Sequence, residues 1–116
     1  MSKQFNNISY KEQELLVLLV EEAAETVVAV AKALRHGFES RHPDHFRDDG
    51  QLTEEHEKEW PPQDNRYDIA KEAGQFVGVL DELRALRILD YEVVEKAKTR
   101  KMKDAAKYLH HQEEPK

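Results

Sequence analysis

The first third of the chain carries apolar residues at helical spacing. Between positions 15 and 34 they recur every three or four residues and cover more than one face of a helix. Ser9 and Glu12 match a capping box at its start, and Gly37 follows its end. The pattern predicts one helix from Tyr10 to His36, about 40 Å long at 1.5 Å per residue. Because such a helix is apolar on two sides, we expect it to pack within the chain and also against a second subunit.

The helical pattern stops in the segment 38–64, where prolines and a glycine interrupt a stretch rich in Asp, Glu and His. Thr53 could cap a short helix that ends near Glu59. We predict an inserted loop, which is either a substrate lid or a solvated insertion. His42 and His45 have zinc-ligand side chains, but a proline separates them and we find no partner motif, so no zinc site is predicted there.

Two further helices follow the insert. Asn65 is the expected N-cap of a helix that runs to roughly Leu89, and Asp90 is the expected N-cap of a helix from Tyr91 to Leu109. We find no strand signal, repeat or low-complexity tract. The fold prediction is therefore an all-α helical bundle of three main helices, with a long loop between the first two, completed by oligomerisation.

Length and composition narrow the functional classes. The chain has 116 residues, which fits a single domain over 1–116 with a frayed tail at about 111–116. It has no cysteine, so thiol nucleophiles, disulfides and Cys-based metal sites are excluded. No apolar run is long enough to span a membrane and the first ten residues lack a secretory pattern, so we expect a soluble, cytoplasmic protein. The net charge of −6 argues against stable nucleic-acid binding.

Three carboxylates interrupt the most apolar part of the first helix, at Glu21, Glu22 and Glu25. Glu22 and Glu25 are three positions apart, so their side chains leave the same side of the helix. Paired carboxylates beside a core repel each other and resist desolvation, and a divalent cation relieves both costs. Oxygen ligands favour Mg²⁺, Mn²⁺ or Ca²⁺. The alternative is that these side chains face solvent and pair with Lys or Arg.

The second long helix has a matching polar row. Asp68, Glu72 and Gln75 fall on one face, among apolar neighbours. If the two helices pack antiparallel, this face can meet the row formed by Glu22 and Glu25. Oxygen-bearing side chains from two helices would then converge inside the bundle, as a metal–phosphate site requires.

The order of these acidic motifs resembles a known family. The MazG-like group of all-α nucleoside triphosphate pyrophosphohydrolases, related to dimeric dUTPases, carries an ExxE pair on one helix and an ExxD pair on the next. Here Glu21–Glu25 (EEAAE) resembles the EExxE form, and Glu72–Val77 (EAGQFV) resembles the E-x-G-D-hydrophobic stretch. The final lysine-rich helix, which ends in Lys107–His110 (KYLH), resembles that of small phage-type members. The likeness spans roughly Tyr10 to His110 apart from the insert.

The resemblance implies a Mg²⁺-dependent enzyme that cleaves a (d)NTP to the (d)NMP and pyrophosphate, with Mn²⁺ as a substitute ion. Its metal ligands would be Glu22, Glu25, Glu72 and position 75. Gln75 departs from the pattern, because a neutral amide replaces the family's Asp and should weaken Mg²⁺ binding. Asp68, one turn before Glu72, could supply the missing charge. The connection between the motifs is also longer than is common in the family.

Further candidate site residues lie beside these motifs and on the last helix, where the resemblance implies phosphate contacts. Glu21 could act as a base beside the metal ligands, or could simply be a solvent-exposed helix residue. Arg35, Lys98 and Lys101 are the candidate phosphate contacts, and Tyr108 could stack on a base or pack the helix end. The expected assembly is a homodimer or homotetramer. The alternative function is a non-catalytic helical dimer that binds or regulates, with its metal site weakened by Gln75.

Overall fold

The computed structural model describes residues 5–113, and this part of the chain is all-helical. The helices are α1 (Tyr10–His36), a 3₁₀ turn (Pro43–His45), α2 (Glu54–Glu57), α3 (Asn65–Ala85) and α4 (Tyr91–Ala105). An isolated antiparallel bridge joins Phe46 and Leu52 in the segment between the 3₁₀ turn and α2. The all-α prediction is confirmed. The last three residues of the predicted frayed tail lie outside the described residues.

The bounds of α1 are those that the sequence predicts, because both of its ends are fixed by local contacts. The Ser9 hydroxyl accepts from the Glu12 amide at 3.2 Å, and the Ser9 amide donates to the Glu12 carboxylate at 2.7 Å. This is a complete capping box. At the other end Gly37 has φ +89°, a conformation that favours glycine, and its amide donates to the Ala33 carbonyl.

The start of α3 is capped by Asp64 and not by Asn65. The Asp64 carboxylate accepts from the Tyr67 amide at 3.0 Å, so it takes the capping role that the sequence assigned to its neighbour. Asn65 is buried and ties α3 to the end of α1: its side-chain amide donates to the Gly37 carbonyl at 3.0 Å, and its backbone amide donates to the Ser40 carbonyl at 2.9 Å. The prediction of Asn65 as the N-cap is wrong.

We expect Asn65→Ala to lower the free energy of unfolding by about 1–2 kcal/mol, because it removes a part-buried hydrogen bond between two helix ends. The measurement is urea denaturation followed by circular dichroism. Gln63→Ala, a change to an exposed side chain in the same loop, is the control and should shift stability by less than about 0.5 kcal/mol. Equal effects of the two changes would contradict the tie between the helix ends.

The insert between α1 and α3 is held together by polar contacts. Thr53 caps α2, as predicted, and its hydroxyl accepts from the His56 amide at 3.3 Å. Arg41 pairs with Glu59 at 3.4 Å, and the His56 ring lies 2.6 Å from the same carboxylate. Neither the 3₁₀ turn nor α2 contributes a buried residue. The insert is therefore ordered by these polar contacts and not by an apolar core of its own.

Two groups in the insert have shifted pKa values. Burial lowers the pKa of His45 below its ordinary 6.5, and the positive charges of His56 and Arg41 act in the same direction. Burial alone would raise the pKa of Glu59, but the hydrogen bond from His56 and the charges of His56 and Arg41 outweigh it and lower the pKa. At neutral pH the first is therefore a neutral imidazole and the second a carboxylate.

The chain divides into two compact units, 1–80 and 81–116. In the second unit Leu83 is fully buried, the Arg84 guanidinium lies over the Tyr91 ring at 4.1 Å, and Asp90 caps α4 as predicted. The helix α3 stops at Ala85, four residues before its predicted end at Leu89. The helix α4 likewise ends at Ala105, short of Leu109.

A Schellman-type turn closes α3. The Ile88 amide donates to the Leu83 carbonyl and the Arg87 amide to the Arg84 carbonyl, with Arg87 at φ +60°. Glycine usually occupies this left-handed position, so an arginine there gives no stop signal in the sequence.

Candidate metal and phosphate site

The helices α1 and α3 run antiparallel where the acidic motifs lie. Asn65 at the start of α3 contacts Gly37 after the end of α1, and Gln75, ten residues further along α3, contacts Glu22 within α1. Residue numbers therefore rise along α3 in the direction in which they fall along α1. This antiparallel arrangement brings Glu22 on α1 opposite Glu72 on α3, which a site shared by the two helices needs.

Glu22, Glu72 and Gln75 meet in one group, which we call the carboxylate–amide group. The Gln75 side-chain nitrogen Nε2 donates to Glu72 Oε2 at 3.0 Å and to Glu22 Oε2 at 3.2 Å. The amide is assigned with its nitrogen toward the carboxylates because this orientation gives both of them a donor. Two carboxylates from different helices thus share a single neighbouring atom.

The opposite orientation of the same amide has a clear chemical requirement. Half a turn of the Gln75 amide would direct its oxygen, Oε1, at the same two carboxylates. Three oxygen acceptors would then face a common point, which a bound cation or a proton on one carboxyl group would stabilise. The orientation with the nitrogen toward the carboxylates needs no ion, and the opposite orientation would offer three oxygen ligands.

The carboxylate–amide group keeps an excess of negative charge. The Glu72 side chain is only 15% exposed, and the cation nearest to it is Lys71, whose Nζ lies 3.8 Å from Glu72 Oε1 and whose side chain is half-exposed. The Gln75 amide adds hydrogen bonds but no charge. Two carboxylates paired with a single half-exposed lysine are incompletely neutralised, which favours a cation.

The other predicted metal and catalytic residues lie at the edges of this group. The Glu25 side chain is exposed and makes no hydrogen bond or ion pair within residues 5–113. Asp68 is half-buried, one turn from Glu72, and lines a separate cavity. Glu21 is exposed and lines an open groove along the N-terminal half of α1, together with Val17 and Leu18. It is not part of the carboxylate–amide group.

A small cavity with basic walls lies where the end of α1 meets the start of α3. Its volume is about 180 Å³, and Asp68 is its acidic lining residue. The basic and imidazole side chains around it are Lys32, Arg35, His36, Arg41 and His42. This cationic cavity suits an anion such as a phosphate group. Because Asp68 lies one helical turn from Glu72, the cavity and the carboxylate–amide group are neighbours along α3.

Three predicted substrate contacts lie in the second unit. Lys98 and Lys101 are exposed on α4, and Lys98 pairs with Glu95 at 3.2 Å. Tyr108 lies in the turn after α4 and is 77% exposed. Their roles toward a nucleotide stay predictions.

No family model, curated protein or solved structure matches this chain. The MazG-like resemblance therefore stands on the motifs of the chain itself. Across residues 5–113, none of the helices has the length and apolar character needed to cross a bilayer.

The sequence pattern alone missed part of the cationic cavity. Lys32 lies three positions before Arg35 on α1, so helical spacing could have paired them. Arg41 belongs to the insert and reaches the cavity only through the fold of that loop, so no local signal identifies it. The sequence predicts only a capping role for Asn65. Its position in the cavity wall follows from the long-range hydrogen bond to the Gly37 carbonyl.

Proposed function

We propose that the protein is a Mg²⁺-dependent nucleotide pyrophosphohydrolase that converts a (d)NTP to the (d)NMP and pyrophosphate. The observation that carries the proposal is the meeting of Glu22 and Glu72, from two helices, at the single amide of Gln75. The MazG-like order of the motifs supports the choice of reaction.

The donor set fits the proposed ion. Mg²⁺ and Mn²⁺ take hard oxygen ligands, and the carboxylate–amide group offers two carboxylates and, after the amide turns, one carbonyl oxygen. Glu25 and Asp68, which follow on the same helix faces, are proposed as further oxygen donors. When bound, Mg²⁺ would neutralise phosphate charge and polarise the attacking water.

The cationic cavity is the proposed place for part of the phosphate chain. Lys32 and Arg35 would offer fixed positive charge there, and the sequence also indicates Arg35 as a phosphate contact. Lys32 lies ten residues from Glu22, which is about 15 Å along a helix. A bound triphosphate would then extend from the carboxylate–amide group toward the cavity. We assign no step to Glu21.

The direct test is pyrophosphate release from a panel of NTPs and dNTPs. With Mg²⁺ or Mn²⁺ present we expect release from at least one nucleotide, and with EDTA we expect none, because no metal ion would remain to polarise the attacking water. Absence of pyrophosphate from every nucleotide under both metal conditions would contradict the enzymatic function.

A second function is favoured by one observation. The Gln75 amide satisfies both carboxylates without an ion, so the same helices could hold together as a non-catalytic binding or regulatory module. Calorimetric titration separates the two: nucleotide binding without turnover in Mg²⁺ supports the module, and turnover supports the enzyme.

We also propose that the chain forms a homodimer, or a tetramer built from such dimers. Apolar residues on α1 follow a strict alternation of three and four positions, which we call the heptad stripe. Its members are Val17, Val20, Ala24, Val27, Ala31 and Leu34. All six are exposed, with Leu34 at 83%. A heptad seam pairs with another helix of the same spacing, which a second copy supplies.

Val27→Glu should convert the assembly to monomers, since it puts a charge into the centre of the heptad stripe, where Val27 is now 68% exposed. The mass in solution, from light scattering after gel filtration, reads this out. Val93→Glu changes a similarly exposed valine on α4 and should leave the mass unchanged. A monomeric wild type, or a dimer that survives Val27→Glu, would refute pairing through the stripe.

A further inference from the structure

The insert brings together three side chains that are typical zinc ligands. His45 comes from the 3₁₀ turn, His56 from α2, and Glu59 from the residues that follow α2. One ligand atom from each lies within 4.8 Å of the other two. Ligand atoms on a single zinc ion lie at most about 4 Å apart, so small side-chain shifts would close the set.

The sequence spacing supports the same set. His42 and His45 are three positions apart, and His56 and Glu59 repeat that spacing after a loop. Ligands on two short turns separated by a loop are the usual layout of a zinc site, and here the first turn supplies His45 while the second supplies His56 and Glu59. His42 is not among the three residues whose ligand atoms come together.

Arg41 contacts two of the three side chains, and a hydrogen bond between His56 and Glu59 holds the third. Its Nη1 lies 3.4 Å from His45 Nδ1 and 3.4 Å from Glu59 Oε2, while His56 Nδ1 lies 2.6 Å from Glu59 Oε1. The Arg41 guanidinium therefore supplies the positive charge beside Glu59 that a bound metal ion would supply instead. A bound ion would have to displace it, because two positive charges at this distance repel.

The two imidazoles would also have to move. Their rings are stacked, with centroids 3.8 Å apart and planes 7° from parallel. An imidazole lone pair lies in the ring plane, so parallel stacked rings cannot both point at one ion, and one ring must rotate on binding. His42 lies beside the pair, with its ring centroid 6.2 Å from that of His45.

We propose that His45, His56 and Glu59 form a transition-metal site that takes Zn²⁺ and fixes the insert when it displaces Arg41. Imidazole nitrogen with one carboxylate suits Zn²⁺ and disfavours Mg²⁺, so this site is chemically distinct from the carboxylate–amide group. The ligands span the insert from its 3₁₀ turn to the end of α2, a segment without buried residues. Binding would cross-link that segment and stabilise it by mass action.

The test is calorimetric titration of the full chain with Zn²⁺ in the presence of excess Mg²⁺, which occupies oxygen-ligand sites. We expect one Zn²⁺ per chain and a rise in Tm. His56→Ala and Glu59→Gln should each weaken binding more than about tenfold, because even an outer-shell partner of a metal is worth that much. His110→Ala, an exposed histidine near the C-terminus, is the matched control and should not change affinity.

Arg41→Gln gives the sharpest discrimination, since it should tighten Zn²⁺ binding while the ligand variants weaken it. Opposite signs of this kind do not arise from general destabilisation of the loop. Circular dichroism checks that each variant folds. If His56→Ala does not fold, Glu59→Gln still tests the site, because glutamine keeps the shape of the glutamate side chain. Wild-type binding no tighter than that of Glu59→Gln, or no binding at all, would overturn the proposal. Glu22→Gln should leave Zn²⁺ affinity unchanged, so failure here is separable from failure of the pyrophosphohydrolase proposal.

Discussion

Glu22→Gln is expected to reduce Mg²⁺-dependent pyrophosphate release by about 100-fold or more. The change replaces a charged ligand by a neutral amide in a group where position 75 is already neutral. Loss of an outer-shell partner alone costs about 10–100-fold in metal affinity or activity, so loss of a direct ligand should reach the upper end. The measurement is the rate of pyrophosphate release at saturating nucleotide over a range of Mg²⁺ concentrations.

This variant is expected to fold. A glutamine at position 22 still offers an oxygen that can accept from Gln75 Nε2, so the bridge between α1 and α3 has a replacement acceptor. Glu14→Gln, the same change at an exposed position on α1, is the control and should keep the wild-type rate. Retention of activity in Glu22→Gln, or an equal loss in Glu14→Gln, would contradict a metal role for Glu22.

Gln75→Asp is expected to make the stability of the protein depend on Mg²⁺. Without the ion, a third carboxylate would replace the donor that now bridges Glu22 and Glu72, so like charges would repel and Tm should fall. The lost bridge and the repulsion together should cost about 1–3 kcal/mol. With Mg²⁺ the three carboxylates become ligands, and Tm should recover with ion concentration.

We expect Gln75→Asp to raise Mg²⁺ affinity about tenfold, since it restores an anionic ligand. Thermal unfolding with and without Mg²⁺, together with calorimetric titration, measures both effects. Gln13→Asp makes the same chemical change at an exposed position of α1 and corrects for helix propensity. If Gln75→Asp behaves like this control in both measurements, position 75 is not near a cation site.

The sequence is informative where the determining contacts are local. The capping box at Ser9 and the glycine at position 37 fix α1 within their own turns, so the helix bounds could be predicted to the residue. The end of α3 could not, because the turn places Arg87 in a conformation usually held by glycine. Asn65 was misassigned because Asp64 and Asn65 are both good N-cap residues, and only the long-range bond to Gly37 distinguishes them.

The same distinction applies to the sites. Helical spacing and an antiparallel arrangement were enough to bring Glu22 opposite Glu72. The bridging role of Gln75 depends on the distance between two helices, which no periodicity encodes. The cationic cavity and the His45–His56–Glu59 set depend on how the insert folds back on itself. Residues of one loop become neighbours through contacts distant in sequence, which a pattern search along the chain does not reveal.

The central claim is that Glu22 and Glu72 share one cation. Mn²⁺ binding, measured by electron paramagnetic resonance on the full chain, tests it through Glu22→Gln, Glu72→Gln and the double variant. Shared ligation predicts that wild type binds Mn²⁺ and that the double variant loses little more than either single variant, because each single change already breaks the site. Losses that simply add, or Mn²⁺ binding that none of the three variants alters, would contradict it.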